Sequence, residues 1–396
     1  MKCHTSSLDA EPVEPPQPLP GAVELFALDP ALAHLNHGSY GALPIEVQRE
    51  QERLRAELEG DPDGFFLAAP GRVAATRERL ARWLGADPQG LALLSNVTEA
   101  VAVALDSIPF GPGDEILVTD HGYGVVTLAA ERRVAECGAR VRTVALPLDA
   151  ADPAEAVLAA AGPRTKLALL DRVTSPTARE VATAPLLRAL AERGVLTMVD
   201  AAHAPGMLDA DLAAGRPDFW FGNLHKWAFA PRASAVLVVG APWRERVRPL
   251  TYSWEHHRGF PANVEWRGTA DYTGWLAAPT GLALLDRLGV REVREHNARL
   301  AAYGQRVLGE LAGLPALPAS PGVSMRAVRL PATVAEDEAG VVALMAAVRD
   351  ELGARVAVRP WAGGGVLRVS AQVYNRPEEY RALASGLPSL LARLGG

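Results

Sequence analysis

The chain reads as an α/β protein: a parallel or mixed sheet covered on both faces by helices, followed by a smaller α+β unit. Three observations predict this. Apolar runs at 115–119, 141–146, 166–171 and 195–199 are continuous rather than alternating, as in strands buried on both faces. Helical patterns separate them at 124–137, 154–161 and 185–193, the alternation expected of a parallel sheet. From residue 323 the order changes to strand, helix, strand pair and helix, which suits a compact terminal unit.

Taken in order, residues 1–20 carry several prolines, one lysine and no apolar core, so they read as a disordered leader rather than a secretory signal. Residues 35–41 form a glycine-punctuated loop that would suit a polar ligand. Helical patterns follow from Pro44 through Leu58 and over 71–84. A short buried strand at 91–94 leads into Ser95-Asn96-Val97-Thr98, with Asn96 or Thr98 as helix cap, and a helix over 101–108. Free N–H groups at such a helix start serve either a side-chain cap or a bound phosphate. Further short strands fall at 219–221 and 235–239. Residues 254–271 are aromatic and polar without clear period. One long helix is expected over 277–308, then a strand at 323–330, a helix at 336–352, strands at 355–358 and 366–370, and a helix at 378–394.

At 396 residues the chain suits one large and one smaller domain. A net charge of −6 gives no basic footprint for nucleic acid. No apolar run approaches the roughly 20 residues needed to cross a bilayer. Two cysteines, Cys3 and Cys137, make no disulfide framework, and the expected location is the cytoplasm.

Ligands of such sheets sit beyond the carboxyl ends of the strands. His121, Tyr123, Ser175, Asp200, His203, His225 and Lys226 all fall there. Lys226 is one of only three lysines among 40 cationic residues, the others being Lys2 in the leader and Lys166 at a strand edge. It is either an ordinary surface charge or an amine whose proton burial can remove, which a guanidinium cannot match. Lys226 lies 26 residues after Asp200, close enough in the chain for both to reach one ligand. A reactive lysine, a strand-end carboxylate and a phosphate-type helix start are the parts a pyridoxal phosphate (PLP) enzyme uses. A rival His-Asp-Lys metal site lacks paired His or Cys spacing, so no metal is expected.

The stretches Asn-Val-Thr-Glu-Ala at 96–100, Thr-Asp-His-Gly-Tyr at 119–123, Val-Asp-Ala-Ala-His-Ala-Pro-Gly at 199–206, His-Lys-Trp at 225–227, Arg-Gly-Thr-Ala-Asp at 267–271 and Leu-Arg-Val-Ser at 367–370 resemble the class V aminotransferase family. Leu-Asn-His-Gly-Ser-Tyr-Gly at 35–41 and Asp-Ala-Ala-His-Ala-Pro-Gly are most similar to its isopenicillin N epimerases and related C–S lyases. The resemblance implies PLP fold type I, with a mostly parallel seven-stranded sheet in a large domain over 21–285. It also implies a small α+β domain over 286–396, to which the N-terminal segment contributes.

By the same resemblance Lys226 is the Schiff-base lysine and Asp200 the partner of the pyridine nitrogen. His121 stacks on the ring or merely caps a strand, and His203 lies beside the cofactor or only bonds Asp200. Asn96, Val97, Thr98 and His225 surround the phosphate, and Thr269 reaches it from the neighbouring subunit of a homodimer. Ser175 stands where many relatives have an Asn at the ring hydroxyl. Arg368 clamps the substrate carboxylate or is a plain surface arginine, while Asn36, His37, Gly38, Ser39 and Tyr123 line the substrate pocket. Tyr123, His37 or water would supply a second proton. The expected reaction at an amino acid's α- or β-carbon is epimerisation, with C–S lysis and then aminotransfer as alternatives. Desulfuration is disfavoured because neither cysteine lies on a loop of the C-terminal third. His37, Asp171-Arg172 and the run 255–258 depart from the family pattern and put the penicillin-pathway substrate in doubt.

Overall fold

The computed structural model describes residues 14–148, 152–361 and 363–395. Seven strands form the main sheet: β1 Leu91–Leu94, β2 Glu115–Thr119, β3 Arg140–Val144, β4 Thr165–Asp171, β5 Leu196–Asp200, β6 Phe219–Asn223 and β7 Ala235–Val239. Their spatial order is β1-β7-β6-β5-β4-β2-β3. β7 runs antiparallel to both neighbours, and every other pairing is parallel.

Alternate residues of these strands feed two separate cores. Leu91, Leu93, Leu117 and Trp220 pack on one face, and Ala92, Leu94, Ile116, Phe219 and Phe221 on the other. Both faces are therefore apolar, which explains continuous rather than alternating runs. Each large side chain so buried contributes roughly 1.5–3 kcal/mol. At the carboxyl ends of β4, β5 and β6 stand the polar residues Asp171, Asp200 and Asn223. The β4–β5 register sets Asp171 directly beside Asp200.

A second, three-stranded antiparallel sheet contains β8 Met325–Arg329, β9 Ala357–Trp361 and β10 Gly364–Ser370, with β10 in the centre. Helices Val290–Ala312, Glu338–Leu352 and Pro377–Leu394 pack around it. The chain near its start joins this unit, because Ala33–His34 pairs in parallel with Ala354–Arg355.

Four expectations need correction. The single helix over 277–308 is two, Thr273–Leu288 and Val290–Ala312, separated at Gly289. The first lies on helices Ile45–Gly60 and Pro62–Leu84 beside the main sheet, and the second on Pro377–Leu394. Helix Pro62–Leu84 starts well before residue 71, since Asp61 caps it by accepting from Gly64 N at 3.0 Å and the helix runs through Pro70. The loop at 35–41 contains a helical turn, His37–Tyr40. Of the expected disordered leader, residues 1–13 lie outside the described residues, but 14–20 pack against the fold. Leu19 N donates to Val373 O at 3.1 Å, and the Gln17 carbonyl accepts from the His296 ring at 3.0 Å.

The turn Leu224–Trp227 directly after β6 carries Lys226, and two close backbones hold it. A Cβ on Gly41 would stand 1.9 Å from the His225 carbonyl oxygen, and one on Gly206 only 2.2 Å from that of Trp227. Both glycines also have positive φ, +67° and +89°. Gly206→Ala is therefore expected to cost about 2–4 kcal/mol from overpacking and backbone strain. It should lower the melting temperature and release the lysine turn. An unchanged melting temperature would refute the clamp.

Candidate active site

Lys226 opens into a cleft of about 370 Å³ at the carboxyl ends of β2, β4, β5 and β6. Its Nζ lies 3.2 Å from His203 Nε2, and Trp227 Nε1 lies 3.4 Å from His203 Nδ1. An indole N–H can only donate, so Nδ1 of His203 accepts. Burial holds His203 well below its ordinary pKa, with Lys226 and Arg368 adding repulsion. The neutral ring then carries its proton on Nε2 and donates it to Lys226, whose amine must offer a lone pair. Burial first, and Arg368 second, draw the lysine down to about 7, against an opposite pull from Asp200 and Asp171.

Asp200 Oδ1 accepts from Ala202 N at 2.9 Å, while Oδ2 is buried with no partner. Burial raises this carboxyl to about 6. Asp171 beside it is raised well above the usual carboxylate range, by burial and then by the charge of Asp200. Both line the cleft. The expected bond between His203 and Asp200 is not made, since His203 is engaged by Lys226 and Trp227.

At the other end of the cleft Asn96 caps helix Val97–Ser107, its Oδ1 accepting from Glu99 N at 3.0 Å. Val97 N donates to Asn223 Oδ1 at 3.1 Å, so of the two backbone amides expected at an anion, Val97's already has a protein partner. Thr98 and His225 line the cleft. His225 Nδ1 donates to Ser234 O at 3.2 Å, and burial with Lys226 lowers the ring to about 4.

Gly38, Ser39, Tyr123 and Ser175 line the same space, whereas Arg368 stands one layer behind. Arg368 Nη1 donates to Ser175 O at 2.5 Å and Oγ at 3.3 Å. Its Nη2 donates to Asn36 Oδ1 at 3.3 Å and Ser39 Oγ at 3.2 Å. Its Nε is buried without a partner, and burial with nearby Arg359 lowers the guanidinium to about 10. Arg368 is thus no surface arginine.

Two expected contacts are turned away. His121 is 0% exposed, with Nδ1 against Thr177 Oγ1 at 2.7 Å, Nε2 against Leu146 O at 2.9 Å and Trp361 edge-on at 4.7 Å. It braces the wall, and Tyr123 presents the aromatic ring to the cleft. His37 is buried against Trp227, accepts from Gln372 Nε2 at 3.1 Å and donates to Tyr374 Oη at 3.0 Å. Burial drives its pKa to about 3, so it stays neutral under the lysine turn.

Thr269 is exposed and outside this chain's own cleft, as are His256, His257 and Arg258, and half-buried Glu255 also lies outside it. Cys137 bonds Arg133 O through Sγ at 3.2 Å, also away from the cleft, and Cys3 lies outside the described residues. Lining residues that carry no assigned role in the sequence reading include the polar Asn223, Arg232 and Arg359. Asp171 is legible there as an acid ending an apolar run and, with Arg172, as a departure from the family pattern.

Comparison with known proteins agrees with this arrangement. Residues 68–383 match the family model for class V aminotransferases. The chain is 36% identical over 388 residues to isopenicillin N epimerase of Streptomyces clavuligerus, covering 92% of this chain and 96% of that protein. It is 28% identical over 397 residues to a probable chloroplastic L-cysteine desulfhydrase of Arabidopsis thaliana, covering 92% and 84%. A cystine C–S lyase in complex with its product cysteine persulfide superimposes with a TM-score of 0.78 at 20% identity, covering 92% and 97%. The fold is that of the type I PLP enzymes. With the family model spanning most of its length, the chain belongs to the class V aminotransferase family of PLP enzymes.

Proposed function

We propose that the protein acts at the α-carbon of an amino acid as an isopenicillin N epimerase-like enzyme. The observation that carries this reading is a buried, near-neutral lysine amine between an unpartnered carboxylate oxygen and a guanidinium with no carboxylate partner. The 36% identity to isopenicillin N epimerase supports epimerisation over other reactions. C–S lysis is the second reading, supported by the 28% identity to an L-cysteine desulfhydrase.

The residues fit PLP. Lys226 would hold it covalently, and the buried Oδ2 of Asp200 lacks the donor that a protonated ring nitrogen would provide. Thr98 and His225 would face the phosphate, whose charge would favour the protonated form of His225. His203 would lie beside the ring, and Ser175 near its hydroxyl. The bound cofactor supplies an electron sink for charge at the substrate α-carbon. Lys226 Nζ, its lone pair oriented by the His203 N–H until that bond opens, takes the α-proton on one face. Tyr123, reaching the cleft from just beyond β2, returns a proton on the other in epimerisation, or protonates a leaving sulfur in C–S lysis. Arg368 would fix the substrate carboxylate by exchanging its Nη bonds to Ser175, Asn36 and Ser39 for it.

We further place the domain division near Gly289 and read the protein as a cytoplasmic homodimer. Exposed Thr269, with exposed Tyr252 and Trp254 earlier in the same segment, supports a subunit contact that brings Thr269 to the neighbouring phosphate. No helix of the described residues is long and apolar enough to cross a membrane.

Proton NMR in deuterated buffer with S-substituted cysteines and longer amino acids tests the reaction. Deuterium entering the α-position with both stereoisomers formed is the expected result. Conversion to pyruvate and ammonia would make the enzyme a β-lyase. Lys226→Ala should cut α-exchange by about 10³-fold and leave no cofactor fixed by borohydride, with the circular dichroism of the native fold retained. Wild-type exchange in that variant would overturn the mechanism. The amine is protonated below about pH 7 and neutral above it. Cofactor capture by the apoprotein, followed by visible absorbance, should therefore accelerate from pH 6 to 8; acceleration only near pH 10 would contradict the shift.

A further inference from the structure

The cleft holds more unpaired positive charge than one substrate carboxylate requires. Arg359 lines it alongside Arg368's neighbours Ser39 and Ser175. The two arginines occupy adjacent strands, Arg359 on β9 opposite Val366 and Arg368 on β10 opposite Ala357. Arg359 makes one hydrogen bond, to the Val358 carbonyl at 3.2 Å, and no ion pair among the described residues. Arginines on exposed helices behave differently: Arg287, Arg306 and Arg381 each pair with a carboxylate. An unpaired guanidinium lining a concave site beside a second buried one is repulsive, and Arg359 does disfavour the charged forms of both Lys226 and Arg368. An anion placed between them relieves that repulsion.

The phosphate end of the cleft does not account for Arg359. The guanidinium acting on His225, next to that end, is Arg232, whereas Arg359 acts on Lys226 and Arg368. Arg359 therefore stands on the substrate side.

We propose that the substrate is an amino acid whose side chain carries a second anionic group, and that Arg359 receives this group while Arg368 holds the α-carboxylate. This rests on the amino-acid reading of the cleft given above. It makes Arg359 a specificity residue selecting acidic over neutral side chains of equal length.

Binding equilibria test the inference without turnover. Isothermal titration calorimetry of the PLP-loaded enzyme would compare glutarate and adipate with valerate and caproate, the monocarboxylates of matching length. One charge-assisted contact predicts roughly tenfold or more tighter binding of the dicarboxylates, an advantage that shrinks as salt is raised. Arg359→Gln should bring the ratio close to one, and Arg359→Lys should keep part of it. Equal binding of di- and monocarboxylates by the wild type would overturn the proposal. So would an Arg359→Gln variant that weakens both classes alike, since Arg359 would then be an α-carboxylate anchor. Absence of any carboxylate binding would remove the amino-acid reading and this inference together.

Discussion

The site depends on one amine that can shed its proton near neutral pH. An ammonium at Lys226 would be desolvated and would face Arg368 and Arg359, while its nearest polar neighbour is a neutral histidine. The hydrogen bonds run in one direction. Trp227 can only donate, so His203 must accept on one nitrogen and donate on the other, and Lys226 must accept. Backbone packing at Gly41 and Gly206 fixes the turn on which this order rests. Lys226, when neutral, therefore carries a lone pair that the His203 N–H orients, where an arginine could offer none.

The acid side is arranged by the same logic with the opposite sign. Register alone puts Asp171 next to Asp200 at the ends of β4 and β5. Two carboxylates in such a site do not both ionise readily. Burial lifts Asp171 further, while the Ala202 amide stabilises the anion of Asp200. The pair therefore divides its labour. Asp171 retains a proton, and Asp200 is the carboxylate with an oxygen still to satisfy.

Much of this was legible in the chain because it depends on local pattern. Continuous apolar runs locate the strands, and their polar ends locate Lys226, Asp200, Asp171 and Tyr123 within one cleft. Side-chain direction was not legible. His121 and His37 sit in motifs that resemble a ligand site, yet their partners Thr177, Trp361, Gln372 and Tyr374 come from distant parts of the chain. Nothing in the sequence near His121 announces that both ring nitrogens are occupied. Arg359 is equally silent, lying just past the strand expected at 355–358, until the β9–β10 pairing places it near Arg368. The helix break at Gly289 escaped because apolar spacing continues across it.

On the proposed reading, cofactor chemistry and substrate choice reside on different elements. Lys226, Asp200, His203 and the helix start at Val97 all belong to the main sheet and its immediate loops. Arg359 and Arg368 arrive on the three-stranded sheet, and Asn36 and Ser39 on the turn that bonds Arg368. Changes in the second group would alter which amino acid is held and at what angle its α-carbon meets Lys226, and loss of Arg368 or Arg359 would also let the lysine pKa rise. The same external constraint also acts in reverse. Because Arg368 contributes to the lowered pKa of Lys226, an anion bound at Arg368 offsets that repulsion and favours protonation of the lysine. Substrate binding and proton transfer are then coupled through charge, with no movement of the main sheet required.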